Sequence, residues 1–155
     1  MSIAAEIVET LTSRGESLSI AESLTGGALS SAIVDIPGAS HVLRGTVIAY
    51  ATEIKIRELA VPSDLIDSDG VVSESVALAM AEGVRSRMGT TWAISATGVA
   101  GPGAHDGTPA GTVWIAIIGP EVRESVKLAL EGDRVAVRRG AVESALGVFA
   151  RILRA

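Results

Sequence analysis

Cysteine is absent from the 155-residue chain. That excludes a thiol nucleophile, a disulfide framework and a thiolate metal site, and it fits a cytoplasmic protein. Aromatic residues are scarce: one Tyr, one Phe and two Trp offer little for base-stacking platforms. Positive charge is in deficit, with a formal net charge of −5, so the basic face that nucleic acid requires is not expected. His41 and His105 stand far apart without ligand spacing and read as surface or loop residues rather than metal ligands. No uncharged apolar run approaches the ~20 residues that span a bilayer. The N-terminus, Met1-Ser2-Ile3-Ala4-Ala5-Glu6, meets acid before any basic region, so no signal peptide is expected either. Lysine is nearly missing. Against eleven arginines there are only Lys55 and Lys127, the two side-chain candidates where chemistry needs an amine that can lose its proton.

What is present is a chain of single-domain length, residues 1–155, with 48% hydrophobic residues to build a core. Ile3, Ala4, Ile7, Val8 and Leu11 recur at helical spacing and predict a helix over 2–13. Leu18–Ala21 reads as a strand, residues 28–35 as a helix closed by Pro37-Gly38, and 45–50 as a buried strand. Thr52-Glu53 offers a cap and an acid for a further helix that stops at Val61-Pro62. Residues 63–69 read as a polar connection, and 70–72 as a short extended piece. Ser73 opens a helix to Met88, and 91–97 is a second buried strand. A long Gly/Pro loop, 98–111, then precedes a hairpin of 112–118 and 122–130. A last helix follows Gly132-Asp133, with Val135, Val142, Leu146, Phe149, Ile152 and Leu153 on its apolar face. Strands alternating with helices predict a three-layer α/β/α sandwich around a mixed, mostly parallel sheet with at least one antiparallel strand.

The stretch Ala21-Glu22-Ser23-Leu24-Thr25-Gly26-Gly27 joins the first strand to a helix. Such a junction aims backbone amides and the positive end of a helix dipole at one point. A serine there has the parts of an acyl-transfer nucleophile with an oxyanion hole, Thr25, Gly26 and Gly27 supplying amides. An ordinary helix N-cap is the alternative for Ser23. Tyr50 and Lys55 form a second constellation. Ile54 and Ile56 flank Lys55, and partial desolvation favours the neutral, basic amine; a surface lysine paired with Glu53 is the alternative. Gly98-Val99-Ala100-Gly101-Pro102-Gly103 lacks the Gly-Lys-Ser/Thr ending of a phosphate loop and the spacing of a dinucleotide fingerprint. An anion-cradling nest and a plain flexible loop both remain open for it.

Several of these motifs, in this order, resemble the CinA C-terminal domain family. The heptapeptide around Ser23 carries the resemblance, with Tyr50 followed by Lys55, Gly70-Val71-Val72-Ser73-Glu74, Gly98-Val99-Ala100-Gly101-Pro102, Pro109–Trp114 and Gly132-Asp133-Arg134. It spans about Ile7 to Leu153. The sequence departs from the family's common pattern at Leu24, where Cys is frequent, and at Ala51-Thr52, where Ser-Asn is frequent. The resemblance implies an α/β/α domain, a nicotinamide mononucleotide deamidase without a cofactor or metal, and a homodimer or higher homo-oligomer. It implies Ser23 as nucleophile, with Tyr50 and Lys55 as activating partners. For the substrate's phosphate, amides of Gly98 and Gly101 and the charges of Arg134 and Arg138 are the candidates. A non-catalytic nucleotide-binding or interaction module, and an amidase for another carboxamide, are the alternatives.

Overall fold

Three apolar stretches become parallel strands: β1 (Leu18–Glu22), β2 (Leu43–Ile48) and β3 (Trp92–Gly98). In the computed structural model, which describes residues 1–155, they join the hairpin of β4 (Thr112–Gly119) and β5 (Val122–Ala129) in one sheet of order β2-β1-β3-β4-β5. β4 is antiparallel to both its neighbours, so it alone runs against the other four strands. The sheet is mixed and mostly parallel.

Two faces of unlike character follow from the period-2 alternation of side chains. Leu18 and Ile20 of β1, Ile94 of β3 and Val113, Ile115 and Ile117 of β4 point to one side. There they pack under α1 (Ile3–Arg14), α2 (Ala28–Val34) and α6 (Arg134–Arg154). Ala21, Ala93 and Ala116 point to the other, where they leave room for α5 (Glu74–Met88) to lie close over the sheet. α3 (Thr52–Leu59) and α4 (Ser63–Asp69) pack against α5. Gly83 of α5 makes that approach possible, because a Cβ there would stand 1.9 Å from the Leu59 carbonyl oxygen. The architecture is a three-layer α/β/α sandwich.

Caps of α1, α5 and α6 fall where the sequence offers them, whereas α3 is entered through Ala51 and not capped by Thr52, which is its first helical residue. Ser2, Ser73 and Asp133 accept amides from Ala5, Val76 and Ala136, and Gly15 and Gly89 close α1 and α5 in the left-handed conformation. Four further expectations need correcting. Residues 63–69 form α4, because Ala60 closes α3 in the left-handed conformation and Pro62, with no amide to satisfy, starts the next helix; Leu65 and Ile66 provide its half-buried side. β2 is an edge strand covering 43–48, half-buried; beyond it Ala49 keeps one amide hydrogen bond to Glu22 of β1, and Tyr50 none. Residues 70–72 lead into α5 through a bend at Val71 and Val72 instead of running extended. Val135 is exposed, its place on the inner face of α6 taken by Val137, Ala141 and Ala145.

Candidate active site

The connection from β1 to β2 crosses one face of the sheet through α2, and that from β2 to β3 crosses the other through α3, α4 and α5. The carboxyl end of β1 is therefore a topological switch point, where the chain leaves in opposite directions and a crevice opens. Ser23 follows β1 directly and sits in that crevice. It lines a cavity of about 440 Å³ together with Tyr50, Lys55, Val72, the segment from Thr97 to His105 and Arg134. A larger concavity, about 860 Å³, lies over the outer side of α4 and α5, away from Ser23, Lys55 and Arg134.

Lys55 is in the first turns of α3, and its side chain is 1% exposed. Its Nζ donates to Ser23 Oγ at 3.0 Å, to the Ala49 carbonyl at 2.7 Å and to the Tyr50 carbonyl at 3.3 Å. Those carbonyls are available because the β1–β2 register ends at Ile48. No carboxylate pairs with Lys55, and Glu53 forms no ion pair with it. Burial accordingly pulls the amine down from its ordinary 10.5 to about 8. The surface-lysine alternative fails on that burial.

Tyr50 is 61% exposed, and its hydroxyl accepts from Arg134 Nη2 at 3.0 Å rather than meeting Ser23. Its contribution near Ser23 is the main-chain oxygen. Arg134, the first residue of α6, also donates from Nη1 to the Gly101 carbonyl at 2.7 Å, so one guanidinium spans from Tyr50 to the glycine loop at the cavity rim. Gly98 ends β3 paired with Val113, where a Cβ would meet the Thr112 carbonyl at 2.7 Å; the glycine serves strand packing. Gly101, with φ +93°, lines the cavity, and its amide makes no hydrogen bond within the chain.

The Thr25-Gly26-Gly27 turn differs from its sequence reading. The Gly26 amide donates to the Ser23 carbonyl, and the Gly27 amide to Glu22 Oε1. Neither is free for an oxyanion. The N-cap of α2 is Gly27, so Ser23 is not a cap. Glu22, fully buried, fills that role from the strand: its carboxylate takes the amides of Gly27, Leu29 and Ser30 and the Ser30 hydroxyl. The positive end of α2 is thus turned on Glu22, not on Ser23. Amides left without an acceptor in the chain are those of Leu24 and Thr25. Arg138 is also elsewhere: its Nε and Nη2 donate to the Leu24 and Thr25 carbonyls, it holds the back of the turn, and it does not line the cavity.

Sequence reasoning passed over Glu22 and the cavity position of His105. An available signal for Glu22 was the helix start at Gly27, which has no side chain to cap it, five residues after an acid in an otherwise apolar strand. For His105 there was none, since it lies far along a loop.

The profile of the CinA C-terminal domain matches residues 1–153. A CinA-like protein of Gemmatimonas aurantiaca is 47% identical over 146 residues, covering 93% of this chain and 34% of that protein. One of Frankia casuarinae is 43% identical over 147 residues, covering 95% of this chain and 34% of its own length. The chain thus spans about a third of the length of these curated relatives. Among solved structures, the competence damage-inducible protein A (ComA) of Klebsiella pneumoniae superposes with a TM-score of 0.95 at 33% identity, over 98% of this chain and 95% of that one. A competence-damaged protein (CinA) superfamily protein of Escherichia coli superposes at 0.93 with 30% identity, over 99% and 88% of the two chains. With its fold, its motifs and nearly its whole length matched, the chain belongs to the CinA C-terminal domain family.

Proposed function

We propose that this chain is a serine amidohydrolase without a metal or cofactor, converting nicotinamide mononucleotide to nicotinate mononucleotide and ammonia. The observation that carries the reading is the buried Lys55 amine, without a carboxylate partner, 3.0 Å from Ser23 Oγ in a cavity with an arginine at its rim. The family's implied substrate supplies the carboxamide and the phosphate.

Neutral Lys55 takes the proton of Ser23 Oγ along that contact, and Oγ bonds to the carboxamide carbon. The carbonyl electrons move onto oxygen, where the Leu24 and Thr25 amides are the donors left to receive them. Collapse of the tetrahedral intermediate breaks the C–N bond, and the Lys55 ammonium returns its proton to the leaving nitrogen, releasing ammonia. Water then adds to the ester as Lys55 takes its proton, and Lys55 returns that proton to Ser23 Oγ as the serine leaves. Because the Tyr50 hydroxyl is bonded to Arg134, the proton passes directly between Ser23 and Lys55 in this scheme. Arg134 and the Gly101 amide, at the far side of the cavity, receive the phosphate.

The test is ammonia release from nicotinamide mononucleotide by the wild-type chain and by Ser23→Ala. The variant is expected to fold and to release none. Undiminished deamidation by purified Ser23→Ala would discard the mechanism. A homodimer or higher homo-oligomer in the cytoplasm completes the proposal. No helix is long and apolar enough to cross a membrane.

A further inference from the structure

Glu22 touches both halves of the site without facing the cavity. Taking a carboxylate out of water is costly unless its oxygens are partnered, and here both are. Oε1 accepts from Gly27 N and Leu29 N, each at 3.0 Å, and Oε2 accepts from Ser30 N at 3.0 Å and Ser30 Oγ at 2.5 Å. Ser30 Oγ lies in turn 2.6 Å from Thr46 Oγ1 of β2. The side chain thus ties the end of the Ser23 turn back to the residue that begins it, closing Ser23–Gly26 into a ring. On its main chain, the Glu22 carbonyl accepts from Ala49 N at 2.8 Å. The Ala49 carbonyl accepts from Lys55 Nζ at 2.7 Å, and that Nζ donates to Ser23 Oγ.

We propose that Glu22 is the positioning residue of the Ser23–Lys55 pair: its carboxylate fixes the ring that holds Ser23 Oγ against the amine. The same contacts withhold the α2 amides from any ligand, so an anionic group on the substrate is directed to the Arg134 side of the cavity. This rests on the reading of Ser23 as the nucleophile and Lys55 as its base, but not on the choice of substrate.

The test therefore uses a substrate-independent reagent. A fluorophosphonate probe phosphonylates serine: a bond forms from Ser23 Oγ to phosphorus as fluoride leaves and Lys55 takes the proton, and the adduct is followed by intact mass. Glu22→Gln keeps the shape but replaces one acceptor oxygen with an amide NH2 that faces the donors. Glu22→Ala empties the carboxylate's place, and sodium formate at constant ionic strength can refill it. With folding verified by circular dichroism, both variants are expected to label at least ~10-fold more slowly, as for a nucleophile held slightly out of place. Formate is expected to speed Glu22→Ala, and chloride to leave it slow. Labelling of a folded variant at the wild-type rate overturns the proposal. So does slow labelling of folded Glu22→Ala that formate does not change, which would leave Glu22 a purely structural residue. If neither variant folds, Ser30→Ala, which removes one side-chain donor and its link to Thr46, carries the test: slowed labelling well below its melting temperature supports the proposal, and the wild-type rate overturns it. A wild-type chain that labels at Ser23 yet releases no ammonia from nicotinamide mononucleotide removes the substrate reading alone. One that does not label at Ser23 overturns both.

Discussion

At Lys55 the decisive quantity is a proton. Burial brings the amine from 10.5 to about 8, so its neutral form grows as pH rises through that value and is lost below it. In the proposed mechanism only the neutral form can accept the Ser23 proton. Ammonia release per enzyme at low substrate is therefore expected to climb with pH, with its inflection near 8, and to fall on acidification. Lys55→Arg keeps the charge but cannot shed it, and a drop of at least ~10²-fold in kcat is expected in a folded variant. Near-normal turnover by that variant would take Lys55 off the catalytic path. Ser23 and Lys55 were legible as residue types: an uncommitted serine at a strand-to-helix turn, and one of two lysines flanked by isoleucines. Tyr50 was legible as a neighbour but not in its orientation. The sequence has no means of showing that the phenol turns outward to Arg134 while the carbonyl turns inward to Lys55.

Elements deliver these residues, and α3 delivers the amine. Ala51 occupies its N-cap with the right extended backbone, φ −79° and ψ 149°, but has no side chain to accept an amide. Ala51→Ser supplies the missing acceptor, and a gain of about 1 kcal/mol in unfolding free energy is expected by denaturant titration. No gain would mean that solvent already satisfies that helix end. Helix α6 delivers Arg134 to the rim, fixed by the Asp133 cap at its start. Arg134→Ala is expected to weaken the transition-state interaction by ~1.5–3 kcal/mol for the nucleotide, and by less for the unphosphorylated riboside. Comparing kcat/KM on the two compounds checks this. Equal losses would mean that the contacts to Gly101 and Tyr50, rather than a phosphate, are what Arg134 serves. Long elements with clear caps, α1, α5 and α6, were legible to within a residue or two. α4 was not, because only Leu65 and Ile66 mark its buried side and the rest of its sequence is that of a loop.

Over the whole molecule, one edge of the sheet, β5, carries Arg123, Glu124 and Lys127, while the other, β2, carries Arg44 as its only charge. Charged side chains discourage edge pairing and bare edges permit it. The homo-oligomer expectation is checked by the mass in solution from light scattering: a mass at or above two chains is expected, and the 15.8 kDa of one chain would remove it. The sequence by itself determined the α/β/α class, since alternating apolar periods of two and 3.6 residues can be buried together only by helices layered on a sheet. It also determined the chemistry within reach, by omitting cysteine, almost all lysine and any histidine cluster. Only the tertiary structure decided which amides are free. The contacts of Glu22 with Gly27, Leu29 and Ser30, and of Arg138 with Leu24 and Thr25, depend on how strand, helix and turn close in three dimensions. It also decided the desolvation of Lys55, because burial at 1% exposure is produced by the inner face of α3 packing on α5 and by Ser23, Ala49 and Tyr50 around the amine, and not by the two isoleucines beside it.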